Sequence, residues 1–301
     1  LLAVMVPDYL LARYIAMAHP RARSILLGCV IKDISLAVVC SILTELDKLI
    51  LPVGISIAAF TSVGYLIDLY HGECDPIDDP IRYGVFCSFF GKLYIGPIVS
   101  AQQFVPQLDD PQMTAEGITR GMVQYLRGLA KIVILAGSLQ ELIIQWETLL
   151  SLEVTILGTW LHVLCYIFYI YFTLSGYSDM AIGLGRMFGF HFLENFNYPY
   201  VARSVTEFWR RWHISLSTWF RDYVYIPLGG NRCSRARNVW NLFVVWFLTG
   251  MWHGASWNFI AWGLWFFVLL VGEKLLWGKA LERLPSLVRH AYAMVLVVFS
   301  W

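Results

Sequence analysis

Long apolar stretches recur along the chain and constrain its fold more than any other feature. Each is close to the roughly 20 residues that an α-helix needs to cross the hydrocarbon core of a bilayer. Charged residues make up only 14% of the 301 residues, whereas soluble domains carry about 25%. We therefore predict an all-α, polytopic transmembrane bundle of about eight to ten helices. The stretches are Ile25–Leu43, Leu49–Leu66, Val154–Leu174, Val239–Trp252 and Trp257–Leu276.

One domain is predicted over residues 1–301, because no repeat, low-complexity linker or shift in composition marks a boundary. The chain does not begin with Met, and apolar stretches lie at both of its ends, Leu1–Met5 and Ala293–Trp301. We expect a longer protein with further helices at both ends. The six cysteines form no CxxC pair, so we expect them to pack in the interior without forming a metal site or a disulfide framework.

Seven arginines lie in one segment between two apolar blocks, and they set the predicted orientation. Short loops dense in Lys and Arg are normally cytoplasmic, so residues 203–237 are placed on the cytoplasmic side. The net charge of +1 and the lack of a basic tail give no indication of nucleic-acid binding. The arginines are Arg203, Arg210, Arg211, Arg221, Arg232, Arg235 and Arg237.

Within this segment, Glu207–Tyr223 is too polar to span a membrane but has one apolar face. The pattern predicts an amphipathic helix at the membrane interface. It is either a simple anchor or part of a site, because His213 stands on the apolar face, where an anchor prefers Leu. The residues on that face are Trp209, Trp212, His213, Leu216, Trp219, Phe220 and Tyr223.

A second histidine, His253, follows the apolar run Val239–Trp252 and lies 16 residues after Arg237. A helix of that length extends about 24 Å into a hydrocarbon core about 30 Å thick. His253 is then either deep in the membrane or in an outer loop, and in both cases it faces away from the arginine segment. Ionisable residues at depth are candidates for function. Gly250 and Gly254 on either side permit close approach of a substrate or another backbone.

A single histidine suits proton transfer, because its neutral ring accepts a proton from a hydroxyl near pH 7. The sequence has no Gly-x-Ser-x-Gly elbow and no His-x-x-x-His pair or His/Cys cluster, so we expect neither a serine hydrolase nor a metal site. Asp179 is another ionisable residue in apolar surroundings, with either a structural role at freed helix ends or a place on a substrate path. His162 is expected to be a satisfied core histidine.

Two long motifs that contain these histidines resemble the membrane-bound O-acyltransferase (MBOAT) family. They are Phe208–Arg232 (FWRRWHISLSTWFRDYVYIPLGGNR) and Leu248–Asn258 (LTGMWHGASWN). They look most like the bacterial branch that includes alginate O-acetyltransferases and the D-alanyl transfer protein of teichoic-acid modification. The resemblance covers about residues 50–276. Shorter matches are Leu51–Ser56, Gly96–Ile98, Ser175–Asp179 and Glu194–Tyr200.

The resemblance implies a ring of transmembrane helices around a central channel, in a multi-pass protein of the bacterial cytoplasmic membrane. The catalytic histidine of the family falls on His253, and a second important histidine falls on His213. The implied reaction moves an acyl group, most simply acetyl, from a cytoplasmic thioester to a hydroxyl of an exported polysaccharide. The donor would be acetyl-CoA or an acyl-carrier thioester, with no bound cofactor. Implied partners are membrane lipid and an acyl-carrier or extracytoplasmic protein.

Around the two histidines we expect further residues on the donor or acceptor path. Guanidinium groups bind phosphate in a bidentate way, so the arginines among them either meet the phosphates of the donor or serve only topology. The set is Trp209, Arg210, Arg211, Trp252, Asn258, Asp179 and Arg232.

Three alternatives to polysaccharide acetylation stay open at this point. Two belong to the same enzyme class: D-alanyl transfer to teichoic acid, and acylation of a lipid or protein. The third is a transporter or flippase, which typically shows paired Gly/Pro-interrupted repeats, and the sequence has none. Two departures from the family pattern leave the substrate open: Ser35–Ile50 lacks an aromatic-Lys-Tyr element, and Ser100 stands where an arginine is usual.

Overall fold

A computed structural model describes residues 1–17, 19–45, 54–93, 96–254 and 256–301. These residues form helices and connecting loops, with no β-strand among them, which confirms the all-α prediction. The α-helices are α1 Leu2–Ala16, α2 Ala22–Glu45, α3 Ile55–His71, α4 Pro80–Ser88, α5 Phe90–Leu93, α6 Ala101–Asp109, α7 Ala115–Ala130, α8 Gly137–Leu152, α9 Ile156–Met187, α10 Val205–Arg211, α11 Ile214–Phe220, α12 Arg235–His253, α13 Trp257–Gly272, α14 Gly278–Glu282 and α15 Ser286–Ser300. The described residues also form three π-helical segments, Lys131–Ala136, Arg221–Tyr225 and Glu273–Trp277, and a 3₁₀ turn at Pro199–Val201.

In the described part of the chain, four helical stretches are long and apolar enough to cross a membrane. Three coincide with predicted apolar runs. The fourth, Ala115–Leu149, was not predicted, because α7 is strongly amphipathic and has no continuous apolar run. The start of the predicted run Leu49–Leu66, and with it the first residues of the Leu51–Ser56 motif, lies outside the described residues. The four stretches are Ala22–Thr44, Ala115–Leu149, Ile156–Met187 and Trp257–Glu282.

The described helices form two compact units that interleave along the sequence. The first unit comprises Leu1–Tyr94, Ile98–Gln112 and Ser215–Val271, and the second comprises Ile95–Pro97, Met113–Ile214 and Gly272–Trp301. His253 belongs to the first unit and His213 to the second.

The first unit contains a buried polar cluster that the sequence analysis did not predict. The ammonium group of Lys32 on α2 lies 3.0 Å from a carboxylate oxygen of Asp8 on α1 and 2.7 Å from one of Asp33. Asp8 also accepts a 2.6 Å hydrogen bond from the hydroxyl of Ser62 on α3. Both aspartates are fully buried. Buried carboxylates are stable only when paired, so this cluster specifies how α1, α2 and α3 pack.

In the second unit, α7 lies against α9 at glycine contacts. A Cβ atom on Gly121 would come within 2.6 Å of the carbonyl oxygen of Gly183, and Gly128 and Gly176 meet in the same way. Side chains at these positions would hold the backbones apart. The helices therefore pack at the closest distance that two backbones allow.

Three predicted segments differ from the structure. Glu207–Tyr223 is not one amphipathic helix, since α10 and α11 are separated at Trp212 and His213 and followed by a π-helical turn. The predicted loop Leu228–Asn238 ends earlier than expected, because Ser234 caps α12, which begins at Arg235. The predicted loop Gln107–Ala115 begins later, because α6 continues to Asp109.

Candidate active site

Helix α12 carries His253 as its last residue. The hydroxyl of Ser234 accepts a hydrogen bond from the backbone N–H of Arg237, which caps the first turn. The helix then runs unbroken to His253. A continuous helix between Arg237 and His253 confirms the predicted spacing of about 24 Å along the axis. The depth of His253 in a membrane stays a prediction.

The imidazole ring of His253 packs against three aromatic rings of its own unit. Its centroid lies 4.7 Å from the ring of Trp252, 4.9 Å from Trp262 and 6.1 Å from Phe259. The two tryptophans make edge contacts, and Phe259 lies nearly parallel to the imidazole. The residue is nevertheless exposed at the surface of the described chain. Aromatic packing therefore orients the ring.

Two glycines bring α13 close enough for these ring contacts. A Cβ atom on Gly250 would come within 2.6 Å of the carbonyl oxygen of Phe259, and one on Gly263 would meet the carbonyl oxygen of Trp246. Such distances are too short for any larger residue without separating the helices. The prediction that Gly250 permits close backbone approach is therefore confirmed, and the approaching backbone is that of α13.

An apolar cavity of about 190 Å³ lies beside Trp252 in the first unit. A smaller, more polar cavity of about 80 Å³ lies nearby, and Phe60, Trp219 and Tyr223 line both. This aromatic wall is held by hydrogen bonds, since the indole N–H of Trp219 donates to the carbonyl of Phe60 at 2.9 Å and the hydroxyl of Tyr223 donates to Asp68 at 3.0 Å.

The loop that presents Arg232 is tied to the first turns of α12. The side-chain amide of Asn238 donates to the hydroxyl oxygen of Tyr225 at 2.6 Å and to the carbonyl of Gly230 at 2.7 Å. Tyr225 in turn donates to the amide oxygen of Asn231. Arg232 itself is exposed. The structure thus holds this arginine on an ordered loop and leaves its guanidinium group accessible.

His213 lies at the break between α10 and α11 with a backbone φ of 46°. A positive φ is uncommon outside glycine, and such residues cluster at functional sites. Two backbone hydrogen bonds hold the break from both sides. The N–H of Asn197 donates to the carbonyl of Arg211, and the N–H of Ile214 donates to the carbonyl of Asn195, each at 2.9 Å.

Aromatic side chains of the second unit surround this break. The ring of Phe196 lies 5.1 Å from that of Trp212 and 6.1 Å from the imidazole of His213. Trp212 also stacks on Phe208, and its ring centroid lies 5.1 Å from that of Trp301. The predicted site residue Trp209 is half-buried and packs against the same cluster.

The other predicted site residues of the second unit have ordinary structural contacts. Arg211 donates to Glu207 through Nε at 3.0 Å and Nη2 at 2.9 Å, and to the carbonyl of Asn197 at 3.1 Å. Asp179 accepts a 2.6 Å hydrogen bond from the ammonium group of Lys131. The partner of Asp179 is therefore a lysine side chain, whereas the structural role predicted from the sequence was a hydrogen bond to freed helix ends. Arg210 is exposed.

The structure therefore brings Trp252 into contact with His253 and Trp209 into the cluster around His213. Asn258, in the first turn of α13, is exposed. Sequence reasoning missed Phe259 and Trp262, although their spacing from His253 across the α12–α13 turn gave a usable signal. It gave no site role to Asn195 and Asn197, which lie in the Glu194–Tyr200 motif and hold the break through backbone atoms. The catalytic roles of all these residues stay predictions.

Comparison with known proteins gives a consistent relationship. The model of the MBOAT, membrane-bound O-acyltransferase family, matches residues 78–297. The chain is 41% identical over 257 residues to the probable alginate O-acetylase AlgI of Pseudomonas aeruginosa, covering 85% of this chain and 49% of that protein. It is 37% identical to the peptidoglycan O-acetyltransferase of Helicobacter pylori, covering 73% of this chain and 47% of that protein.

A more distant relative is the teichoic acid D-alanyltransferase of Bacillus subtilis. It is 31% identical over 252 residues, which cover 77% of this chain and 62% of that protein. The chain spans about half the length of the alginate relatives that it matches. The family model covers both histidines and most of the helices described above. With its long apolar helices and these matches, the chain belongs to the membrane-bound O-acyltransferase family.

Proposed function

We propose that this chain carries the acyl-transfer site of a membrane enzyme that acetylates hydroxyl groups of an exported polysaccharide. The donor in this proposal is a thioester, acetyl-CoA or an acyl-carrier protein, which approaches from the arginine-rich cytoplasmic side. The observation that carries the proposal is the environment of His253, whose imidazole is oriented by Trp252, Trp262 and Phe259 inside a chain of an acyltransferase family.

His253 acts as the general base in this proposal. Its neutral ring takes the proton of the acceptor hydroxyl, whose oxygen attacks the thioester carbonyl carbon. A new C–O bond forms, the C–S bond breaks, and the imidazolium returns the proton to the leaving thiolate. No net proton is gained or lost, so a single histidine suffices for both transfers. His213 positions the acyl group or relays protons in this proposal.

The names of the relatives support a polysaccharide as the acceptor of the acetyl group over the other acceptors considered. The relatives described above at 41% and 37% identity are a probable alginate O-acetylase and a peptidoglycan O-acetyltransferase, and both names describe acetyl transfer to a glycan. The D-alanyltransferase is more distant at 31% identity.

Replacing His253 by Ala tests the proposal directly. We expect the variant to reach the membrane folded and to lose transfer by about 10²–10⁴-fold, the usual contribution of one general base. The matched control is His162→Ala, since His162 lies in another apolar helix and faces Glu147 at 3.7 Å. That variant should keep wild-type transfer. The measurement is ester-linked acetate on the exported polymer, normalised to folded protein.

The same measurement separates the alternatives. Loss of ester-linked acetate in His253→Ala supports the proposal, and loss of ester-linked D-alanine with unchanged acetate supports teichoic-acid modification. Unchanged esters of both kinds in that variant would exclude a catalytic role for His253. A missing exported solute together with unchanged esters would instead favour a transporter.

A further inference from the structure

Glu273 is a buried carboxylate that the proposed mechanism does not use. It lies in the membrane-length helical stretch Trp257–Glu282, at the start of a π-helical turn, and is only 6% exposed. An ionisable side chain in such a stretch is costly to bury and is a candidate for function by default. Its position in the sequence gives no indication of a partner, because the nearest basic residue of the same turn, Lys274, follows it directly.

The carboxylate of Glu273 binds the first turn of α10, which precedes His213. One oxygen accepts a hydrogen bond from the backbone N–H of Val205 at 2.7 Å. The other accepts from the N–H of Thr206 at 2.8 Å and from its hydroxyl at 2.6 Å. Charged acceptors on free N–H groups at a helix start form strong hydrogen bonds. Glu273 thus fixes where α10 begins, from 67 or more residues away in the sequence.

Other residues near the end of the chain hold the same segment. A ring nitrogen of His290 lies 3.0 Å from the carbonyl oxygen of Ala202. Val297 packs with Phe208 and Trp212 in one buried cluster. The segment is also secured locally, because the hydroxyl of Ser204 caps α10 by accepting from the N–H of Glu207.

These contacts lie close to His213 along the chain, so the position of α10 affects the position of His213. Helix α10 has only seven residues, and His213 is the second residue after it. A shift at the first turn therefore passes to His213 with little room for adjustment. At its far side, the backbone of His213 is already held by the carbonyl of Asn195 through Ile214, so a displaced α10 strains the left-handed conformation or moves the imidazole.

We propose that Glu273 is a positioning residue for His213, acting through the first turn of α10. The proposal rests on the proposed function, in which His213 contributes to acyl transfer. Glu273 touches no reactant in this scheme. It acts only by holding the backbone from which the imidazole of His213 projects.

Glu273→Gln is the sharpest test, because it keeps the shape of the side chain. Whichever way the amide is turned, its NH₂ group replaces one acceptor oxygen and faces the backbone N–H of Val205 or Thr206, two donors that cannot bond each other. We expect transfer to fall about 10²-fold, the effect of a small misplacement of a catalytic group. Thr206→Val is the matched control, since it removes only the hydroxyl bond and should cost much less.

A double-mutant cycle separates positioning from a general loss of structure. Transfer is measured in membranes for Glu273→Gln, His213→Ala and the double variant, each normalised to folded protein. If Glu273 acts through His213, the double variant transfers no more slowly than His213→Ala alone. Losses that multiply, or an unchanged rate in Glu273→Gln, would overturn the proposal.

A second variant covers the case in which Glu273→Gln does not fold. Val205→Pro removes one donor to Glu273 while leaving the carboxylate in place. Proline suits the first position of a helix, and the extended backbone of Ser204 tolerates a following proline. The same non-additive pattern with His213→Ala is expected. If His213→Ala transfers normally while His253→Ala does not, the positioning role fails and the proposed function of His253 stands.

Discussion

The two histidines are held in different ways. His253 ends a regular helix, and side chains orient its ring: two tryptophans and a phenylalanine contact the imidazole, and glycines bring the neighbouring helix close. His213 lies at the break between two helices, and hydrogen bonds between the backbone atoms of Asn195 and Asn197 and those of its neighbours hold the backbone there. A packed ring on a rigid helix is tolerant of backbone changes elsewhere. A strained residue between two short helices depends on every contact that maintains the break.

The first test asks whether close packing of α12 and α13 orients His253, by introducing a side chain that separates the two helices. In Gly250→Val, the added side chain meets the carbonyl of Phe259, and overpacking of this kind costs roughly 1–3 kcal/mol or more. We expect less folded protein and about 10²-fold lower transfer per folded molecule. The control is Gly28→Ala, because a Cβ on Gly28 has no neighbour within 4 Å and should leave transfer unchanged. Normal transfer in Gly250→Val would show that the ring contacts do not orient His253.

The second test separates backbone from imidazole at His213. Glycine adopts the left-handed conformation freely, whereas the same conformation costs an alanine residue about 1–2 kcal/mol of free energy. We therefore expect His213→Gly to be more stable than His213→Ala by about that amount, measured as thermal unfolding in detergent. Both variants should lose transfer severely, because both lack the ring. Recovery of transfer in the glycine variant would mean that the turn, rather than the imidazole, is what the enzyme requires.

The smallest effect is expected at Glu207. Burial alone raises the pKa of this carboxyl, but the hydrogen bond from the N–H of Arg203 and the ion pair with Arg211 outweigh it and lower the pKa overall. Because the folded-state pKa is depressed, this stabilisation is complete above the unfolded value of about 4.3 and is lost as the pH falls through the folded pKa.

Glu207→Gln should therefore cost only about 0.3–0.5 kcal/mol at neutral pH, as for other i,i+4 pairs. The difference from wild type should disappear in acid, as the wild-type carboxyl becomes protonated. Thermal unfolding at neutral and acidic pH measures both values. A larger loss of stability at neutral pH, together with slower transfer, would indicate that Glu207, like Glu273, determines the position of His213.

Long continuous apolar runs predicted the helices that are apolar on all sides, and they failed to predict a helix that is apolar on one face only. α13 falls inside a predicted run, and α9 begins inside one and continues past its end to Met187. Ala115–Leu149 was missed because polar residues interrupt its apolar face. The break at His213 was missed for a different reason. The residues around it continue a helical pattern, and the bonds that hold the end of the helix are made by backbone atoms of Asn195 and Asn197.

The candidate site also contains residues that the sequence predicts and residues that it does not. His253 could be predicted because it is an ionisable residue that follows a long apolar run, and its contact with Trp252 is expected because the two residues are neighbours in the sequence. Glu273 could not be found in this way. Its partners are backbone N–H groups of Val205 and Thr206, and no residue type marks a free N–H group. Long-range contacts of side chain to backbone are therefore the part of this site that required coordinates.

The capping of α10 by Glu273 has a consequence for the order in which the protein matures. The first turn of α10 leaves the ribosome 67 or 68 residues before the carboxylate that completes it. At synthesis rates of about 5–20 residues per second, this delay lasts roughly 3–13 seconds. During that interval α10 has the local cap from Ser204 but not the hydrogen bonds to Glu273. If Glu273 positions His213 as proposed, the segment of His213 reaches its final position only after residue 273 has been made.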